Sequence, residues 1–239
     1  MKGANNMLDF IERGGIMMYP LLISSLLAVA IIIERLISLR RNKIIIPEIV
    51  SVVEQFNSHN DIELAKNINA RYEGPLSNIV SIALDNSELE NGEIKELIED
   101  QARQEVGKLQ KRLGILETIA AVAPLLGLAG TVLGMIRVFN VIKDQGIGQA
   151  SALSGGISEA LLTTVAGLFI GIPALVFYSY FSRKTESYAL EIEKHSNTLF
   201  RKLQKLQKNM TGGKTLKAER SSENLISGEE IFHENRDSN

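Results

Sequence analysis

The sequence predicts an all-α, polytopic membrane protein: three transmembrane helices, with long helices extending into a helical cytoplasmic domain. Three observations predict it. Uncharged residues pile into three blocks, and the chain between them is densely charged. Each block runs to roughly 18 residues or more, enough at ~1.5 Å per residue to cross a ~30 Å hydrocarbon layer as a helix. Basic residues flank the blocks with the same polarity each time. The hydrophobic share of 45% is close to that of a globular protein, so the distribution and not the total carries the signal.

Residues 1–15 precede the first block. Met7, Leu8, Phe10 and Ile11 suit a short amphipathic helix in the outer headgroup layer. The first span, 16–39, contains IMMYPLLISSLLAVAIII. Ala28-Val29-Ala30 resembles a signal-peptide cleavage site, the competing reading. Against it, apolar sequence continues past that point into the basic flank Arg35, Arg40, Arg41 and Lys43, and the leading segment carries Asp9 and Glu12. A retained span is the expectation.

Residues 40–112 are too long for a plain loop and read as a helical cytoplasmic domain. Ile49, Val52, Val53 and Phe56 recur at helical spacing after Pro47, Asp61 is placed to cap IELAKNI, and Gly74-Pro75 breaks the chain before LSNIVSIAL. A long charged helix after Gly92 feeds the second span, 113–139. The connection 140–152 carries Lys143 against Asp144, and the third span covers 153–182. From 183 to 209 helical character persists, with Ile192, Leu199 and Leu206 every seven residues and Leu203 between. The polar stretch 210–239 reads as a disordered tail. Lys108, Lys111 and Arg112 before the second block and Arg183 and Lys184 after the third agree with the first flank. The positive-inside rule therefore puts the domain and the C-terminus in the cytoplasm, and the N-terminus and the 140–152 connection on the periplasmic side.

Ordinary enzyme chemistry finds no support. With no cysteine, a disulfide framework, thiolate metal sites and a cysteine nucleophile are excluded. His59, His195 and His233 share no ligand spacing, and no metal or cofactor is expected. GGKT at 212–215 lacks both the leading glycine of a phosphate loop and a strand before it. A net charge of −2 gives no field to attract nucleic acid.

One residue stands out. Glu159 lies in SGGISEALLTTVAGLFIGIPALVFYSYF, a run with no other charge. A carboxylate at the centre of a span costs on the order of 3 kcal/mol, so a residue there faces a pore or a partner and serves as a proton carrier; a span starting at Ile157 instead makes Glu159 an interfacial or helix-cap acid, the competing reading. Thr163 follows one helical turn later on the same face. Ala160, Thr164, Gly167, Gly171 and Ala174 form an adjacent small-residue stripe. Gly127, Gly130, Thr131 and Gly134 form another in the second block, and such stripes let helix backbones approach closely. Pro124 and Pro173 each free a carbonyl and are positioned to kink their spans. Glu117 marks the cytoplasmic mouth of the second span, and Arg137, at its outer end, is expected to snorkel.

LETIAAVAPLLGLAGTVLGMIRVF followed by GGISEALLTTVAGLFIGIPALVFYSYFSR resembles the MotA/TolQ/ExbB proton-channel family. Three spans, against four in the flagellar MotA branch, place it with ExbB and TolQ, and these segments with the N-terminal GGIMMYPLLISSLLAVAIIIERLISLRR are most similar to the ExbB branch. The likeness covers about residues 8–206, loosely through the cytoplasmic domain. It implies a homopentamer in the bacterial inner membrane whose second and third spans line a pore. It further implies an ExbD-like partner, present as two single-span copies each carrying a membrane aspartate, and a TonB-like protein that receives the work of proton flow. Glu159 matches the family's pore glutamate, Thr131 its second-span threonine and Thr164 its third-span threonine. A TolQ-like role in envelope maintenance and a non-conducting scaffold are the competing functions.

Overall fold

The computed structural model describes residues 14–55, 61–146 and 150–234. Among them the regular structure is entirely helical, in eight helices: α1 Met18–Ser38, α2 Arg41–Ile44, α3 Pro47–Gln55, α4 Asp61–Asn69, α5 Pro75–Asp85, α6 Asn91–Gln110, α7 Leu113–Gln145 and α8 Ala150–Glu234. The expected amphipathic segment before Gly14 lies outside the described residues. Three helical stretches are long and apolar enough to cross a membrane: Met18–Ser38, Asn91–Asp144 and Leu153–Lys208. The chain forms two compact units, Met1–Arg40 with Val106–Ala189, and Arg41–Glu105 with Leu190–Asn239.

In the first unit, α1, α7 and the first part of α8 pack together. Met18 and Leu21 of α1 and Ala123 of α7 are buried in one cluster, against Leu126, Ala166 and Ile170. The α7–α8 seam is made of the small residues, in antiparallel order. A Cβ added at Gly127 would stand 2.9 Å from the Thr163 carbonyl oxygen, one at Gly134 would stand 2.8 Å from Ala160 Cβ, and one at Gly167 would stand 2.6 Å from the Ala123 carbonyl oxygen. A Cβ at Gly171 would meet the Pro124 ring at 2.7 Å. Pro124 also leaves the Ala120 carbonyl without its usual donor, and that oxygen faces the same glycine at 3.3 Å from the added Cβ. Both helices continue through their prolines; Pro173 lies on an exposed face. Much of the outward surface is apolar, including Leu125, Leu128, Phe139, Leu161, Phe169 and Val176.

The flank of the first span differs from a solvated basic stretch. Arg35 is buried, and its Nη1 donates to the Leu109 carbonyl at 3.0 Å. The reason is local: α6 ends at Gln110 and α7 begins at Leu113, so the break strips Leu109 of its helical donor. Glu34 sits beside Arg35 Nε at 3.3 Å and pairs with Arg112 at 2.9 Å. The Tyr188 hydroxyl donates to the Leu39 carbonyl at 3.2 Å.

The second unit has its own core. Ile44, Ile49, Val53, Leu76, Ile79, Val80 and Leu84 are buried, with Ile94 and Ile98 of α6. Ile192, Leu199 and Leu203 of α8 are buried too, whereas Leu206 is half-exposed. Asn69 donates to the Ser77 carbonyl at 3.0 Å, and the Ser77 hydroxyl donates to the Tyr72 carbonyl at 2.7 Å, closing the turn between α4 and α5. Gln207 donates to the carbonyls of Ser87 at 2.8 Å and Leu89 at 2.7 Å.

Two boundaries differ from the sequence reading. The connection expected over 140–152 is shorter, because α7 runs to Gln145 and α8 starts at Ala150. Gly146, at φ +76°, ends α7, and its N–H donates to the Ile142 carbonyl at 2.9 Å. Secondly, α8 carries helical backbone to Glu234, through most of the stretch that polarity alone reads as disordered. Lysine, glutamate, alanine and leucine in that stretch are good helix formers, and polarity does not count against them.

Candidate functional site

Glu159 lies ten positions into α8, on a helix held against α7 by the glycine seam. Only 15% of its side chain is exposed. Arg137, on α7, forms an ion pair with it: Nη1 donates to Glu159 Oε2. Antiparallel packing brings the two together from 22 positions apart, because each lies at a similar distance from the residues joining α7 to α8.

A third element closes over the carboxylate. The chain before α1 turns at Gly15, where φ is +65°, and the Met18 N–H donates to the Gly15 carbonyl at 3.1 Å. Glu159 Oε1 occupies the space a Gly15 Cβ would need, so glycine is required twice there, for the backbone angle and for the close approach. Between these groups is a cavity of about 240 Å³. Gly14, Ile16 and Met17 line one side, and Arg137, Asn140 and Glu159 supply its polar wall.

The threonines lie near this site in three different settings. Thr163 is 1% exposed; its hydroxyl donates to the Ala160 carbonyl at 2.9 Å, and its side chain fills the space beside Gly130. Thr164 reaches across the seam to the Gly127 carbonyl at 3.3 Å. Thr131 is partly exposed and bonds its own helix at the Leu128 carbonyl, 2.6 Å away. Within one chain, then, Thr163 and Thr164 serve the α7–α8 contact. Gly127, Gly130, Gly134, Gly167, Gly171 and Pro124 all lie in that contact, while Pro173 lies outside it.

Arg137 is the residue the sequence reading placed differently. It does reach outward, being 61% exposed, but its guanidinium head is engaged by Glu159. Gly15 and Asn140 had no motif to announce them. The arrangement joins one ionisable acid, shielded from bulk solvent, to one cation with room to move. Pairing of the two charges offsets the cost of withdrawing the carboxylate from water.

The sequence signature of the MotA/TolQ/ExbB proton channel family matches residues 71–194. The chain is 36% identical over 175 residues to a Synechocystis sp. protein named as biopolymer transport protein ExbB-like 3, an alignment that covers 70% of this chain and 81% of that one. It is 29% identical over 188 residues to an ExbB homologue of Methanothermobacter thermautotrophicus, covering 78% and 66%. Against the biopolymer transport protein ExbB of Aquifex aeolicus it is 38% identical over 86 residues, covering 36% of this chain and 58% of the relative.

Proposed function

Because this chain belongs to the MotA/TolQ/ExbB proton channel family, we propose that it is an ExbB-like subunit of an energy-transducing motor in the inner membrane. In this reading Glu159 is the proton-carrying group. The chain assembles as a pentamer whose α7 and α8 segments surround a pore. An ExbD-like dimer occupies the pore, and a TonB-like protein takes up the work. The N-terminus is periplasmic, and the second unit and the C-terminus are cytoplasmic.

The observation that carries this reading is the setting of Glu159. It is a carboxylate on a span-length helix, largely withdrawn from solvent, in a bundle of three helices that are each apolar enough to cross a membrane. A unit charge moved across 100 mV gains about 2.3 kcal/mol, and a carboxyl group that can load and unload a proton is a station on that path. In this reading Thr131 and Thr164 order water or hydrogen-bond the acid once copies assemble. The apolar outer faces of α7 and α8 suit contact with lipid and with further copies.

Glu159→Gln separates this function from that of a scaffold. The variant keeps the shape and removes the ionisable group. Expressed with its single-span partner, it is expected to assemble in normal amounts and to lose energised transport. Full transport activity in an assembled Glu159→Gln complex would remove the acid from the mechanism. The identity of the next partner, TonB-like or Tol-like, would be read from co-purification.

A further inference from the structure

We infer that Arg137 is the resident counter-ion of Glu159: it holds the carboxylate charged and in place beneath the Gly15 turn, and it is the group that swings away when Glu159 takes up a proton. This inference rests on Glu159 being the proton carrier, but it concerns a different residue and a different step. Three observations support it. The pair is direct, guanidinium on carboxylate. The two partners differ in freedom: the Glu159 side chain is 15% exposed and covered by Gly15, whereas Arg137 is 61% exposed. Among the described residues lining the cavity, Arg137 is the only charged group besides Glu159.

The sequence of events balances in charge. With the pair closed, the site is neutral overall, which is the cheap state for burial. When a proton arrives from the aqueous side, Glu159 becomes a neutral acid and loses its attraction for the guanidinium. Arg137 keeps its own proton and moves toward the exposed side, where its charge is solvated. Loss of the proton draws the guanidinium back. Arg137 is thus a positioning residue that makes loading and unloading of Glu159 a two-state event.

The test uses dicyclohexylcarbodiimide, which attacks protonated carboxyl groups in apolar surroundings, on the full complex in membranes. Modification of the Glu159 peptide is followed by mass spectrometry, with Glu159→Gln as the blank. It requires no transport, so a failure here is distinct from a failure of the proposed function. Arg137→Met keeps the apolar stem and removes the charge; the labelling rate at Glu159 is expected to rise about tenfold or more, the response to losing one close counter-charge. Arg137→Lys keeps the charge in a different shape and is expected to stay near the wild-type rate. A wild-type rate in Arg137→Met, or a Lys variant that labels like the Met variant, overturns the inference. Should Arg137→Met fail to accumulate, Glu159→Gln/Arg137→Met decides: the pair predicts that the double variant accumulates, and equal failure of both overturns the inference.

Discussion

The glycine seam between α7 and α8 makes a prediction that one substitution at two positions of one helix can test. A methyl group added at Gly167 would lie 2.6 Å from the Ala123 carbonyl oxygen and 3.0 Å from Gly127 Cα, both backbone atoms that cannot rotate aside. A methyl group at Gly155 would meet nothing within 4 Å. Both residues are in α8, so Gly→Ala brings the same gain in helix propensity at each, up to about 1 kcal/mol. That gain cancels in the comparison. What remains is the cost of forcing the seam apart, about 1–3 kcal/mol for an overpacked contact. Gly155→Ala should therefore be neutral or slightly stabilising, and Gly167→Ala should be less stable than it by about 1–3 kcal/mol. The assay is reversible unfolding of the detergent-solubilised chain, followed by circular dichroism and by an energy-transfer pair placed on α7 and α8. Equal stability of the two variants would refute the claim that backbone proximity holds these helices together. Greater stability of Gly167→Ala would refute it more strongly, because it would show spare room where a clash is expected.

Two further predictions follow from buried polar groups. Arg35→Met leaves the Leu109 carbonyl without its donor and should destabilise by about 2 kcal/mol, whereas Arg112→Met, which removes a largely exposed ion pair, should cost under about 1 kcal/mol; thermal denaturation of the two variants compares them. In the second unit, burial holds the His195 imidazole below its ordinary 6.5, helped by Lys194 and Arg41 and opposed by Glu54 and Glu191. The folded state therefore resists protonation that the unfolded chain accepts. This contribution to stability is fully present above 6.5 and is lost as pH falls from 6.5 toward the lower folded-state value. A melting-temperature series from about pH 8 to 5 should show a decline on the acid side that His195→Gln flattens, and an unchanged slope in that variant would assign the decline to other groups.

The span-length helices were legible because membrane-spanning segments announce themselves by composition over a window, which needs no knowledge of partners. The seam was legible for a related reason: Gly127, Gly130 and Gly134 on one helix and Gly167 and Gly171 on the other are small at helical spacing, and small residues in a span have few other uses. Ile192 and Leu199 likewise advertised a buried face through their seven-residue interval. Arg35 was not legible. A flank of basic residues beside a span is read collectively, and which of its members turns inward depends on where another helix breaks, here between Gln110 and Leu113.

Arg137 and Glu159 show the same limit at the site itself. Hydropathy treats each charge as a separate cost, so the acid looks expensive at depth and the arginine is assigned to the nearest surface. Pairing depends on two residues at once, and only the register of α7 against α8 reveals it. That register was in principle available. In the register set by the Gly127–Gly167 and Gly134–Ala160 contacts, Val138 meets Gly156 one turn further out, and Arg137 and Glu159 each lie one position before a seam residue, Val138 and Ala160, so that their long side chains meet beside the seam. The small residues that allow the close approach therefore also fix the ion pair. A shift of one helical turn along the seam would carry Glu159 past Arg137 and out from under Gly15, leaving a charge uncompensated. The spacing of the glycines and the position of the acid are thus one constraint, and altering either should be felt at the other.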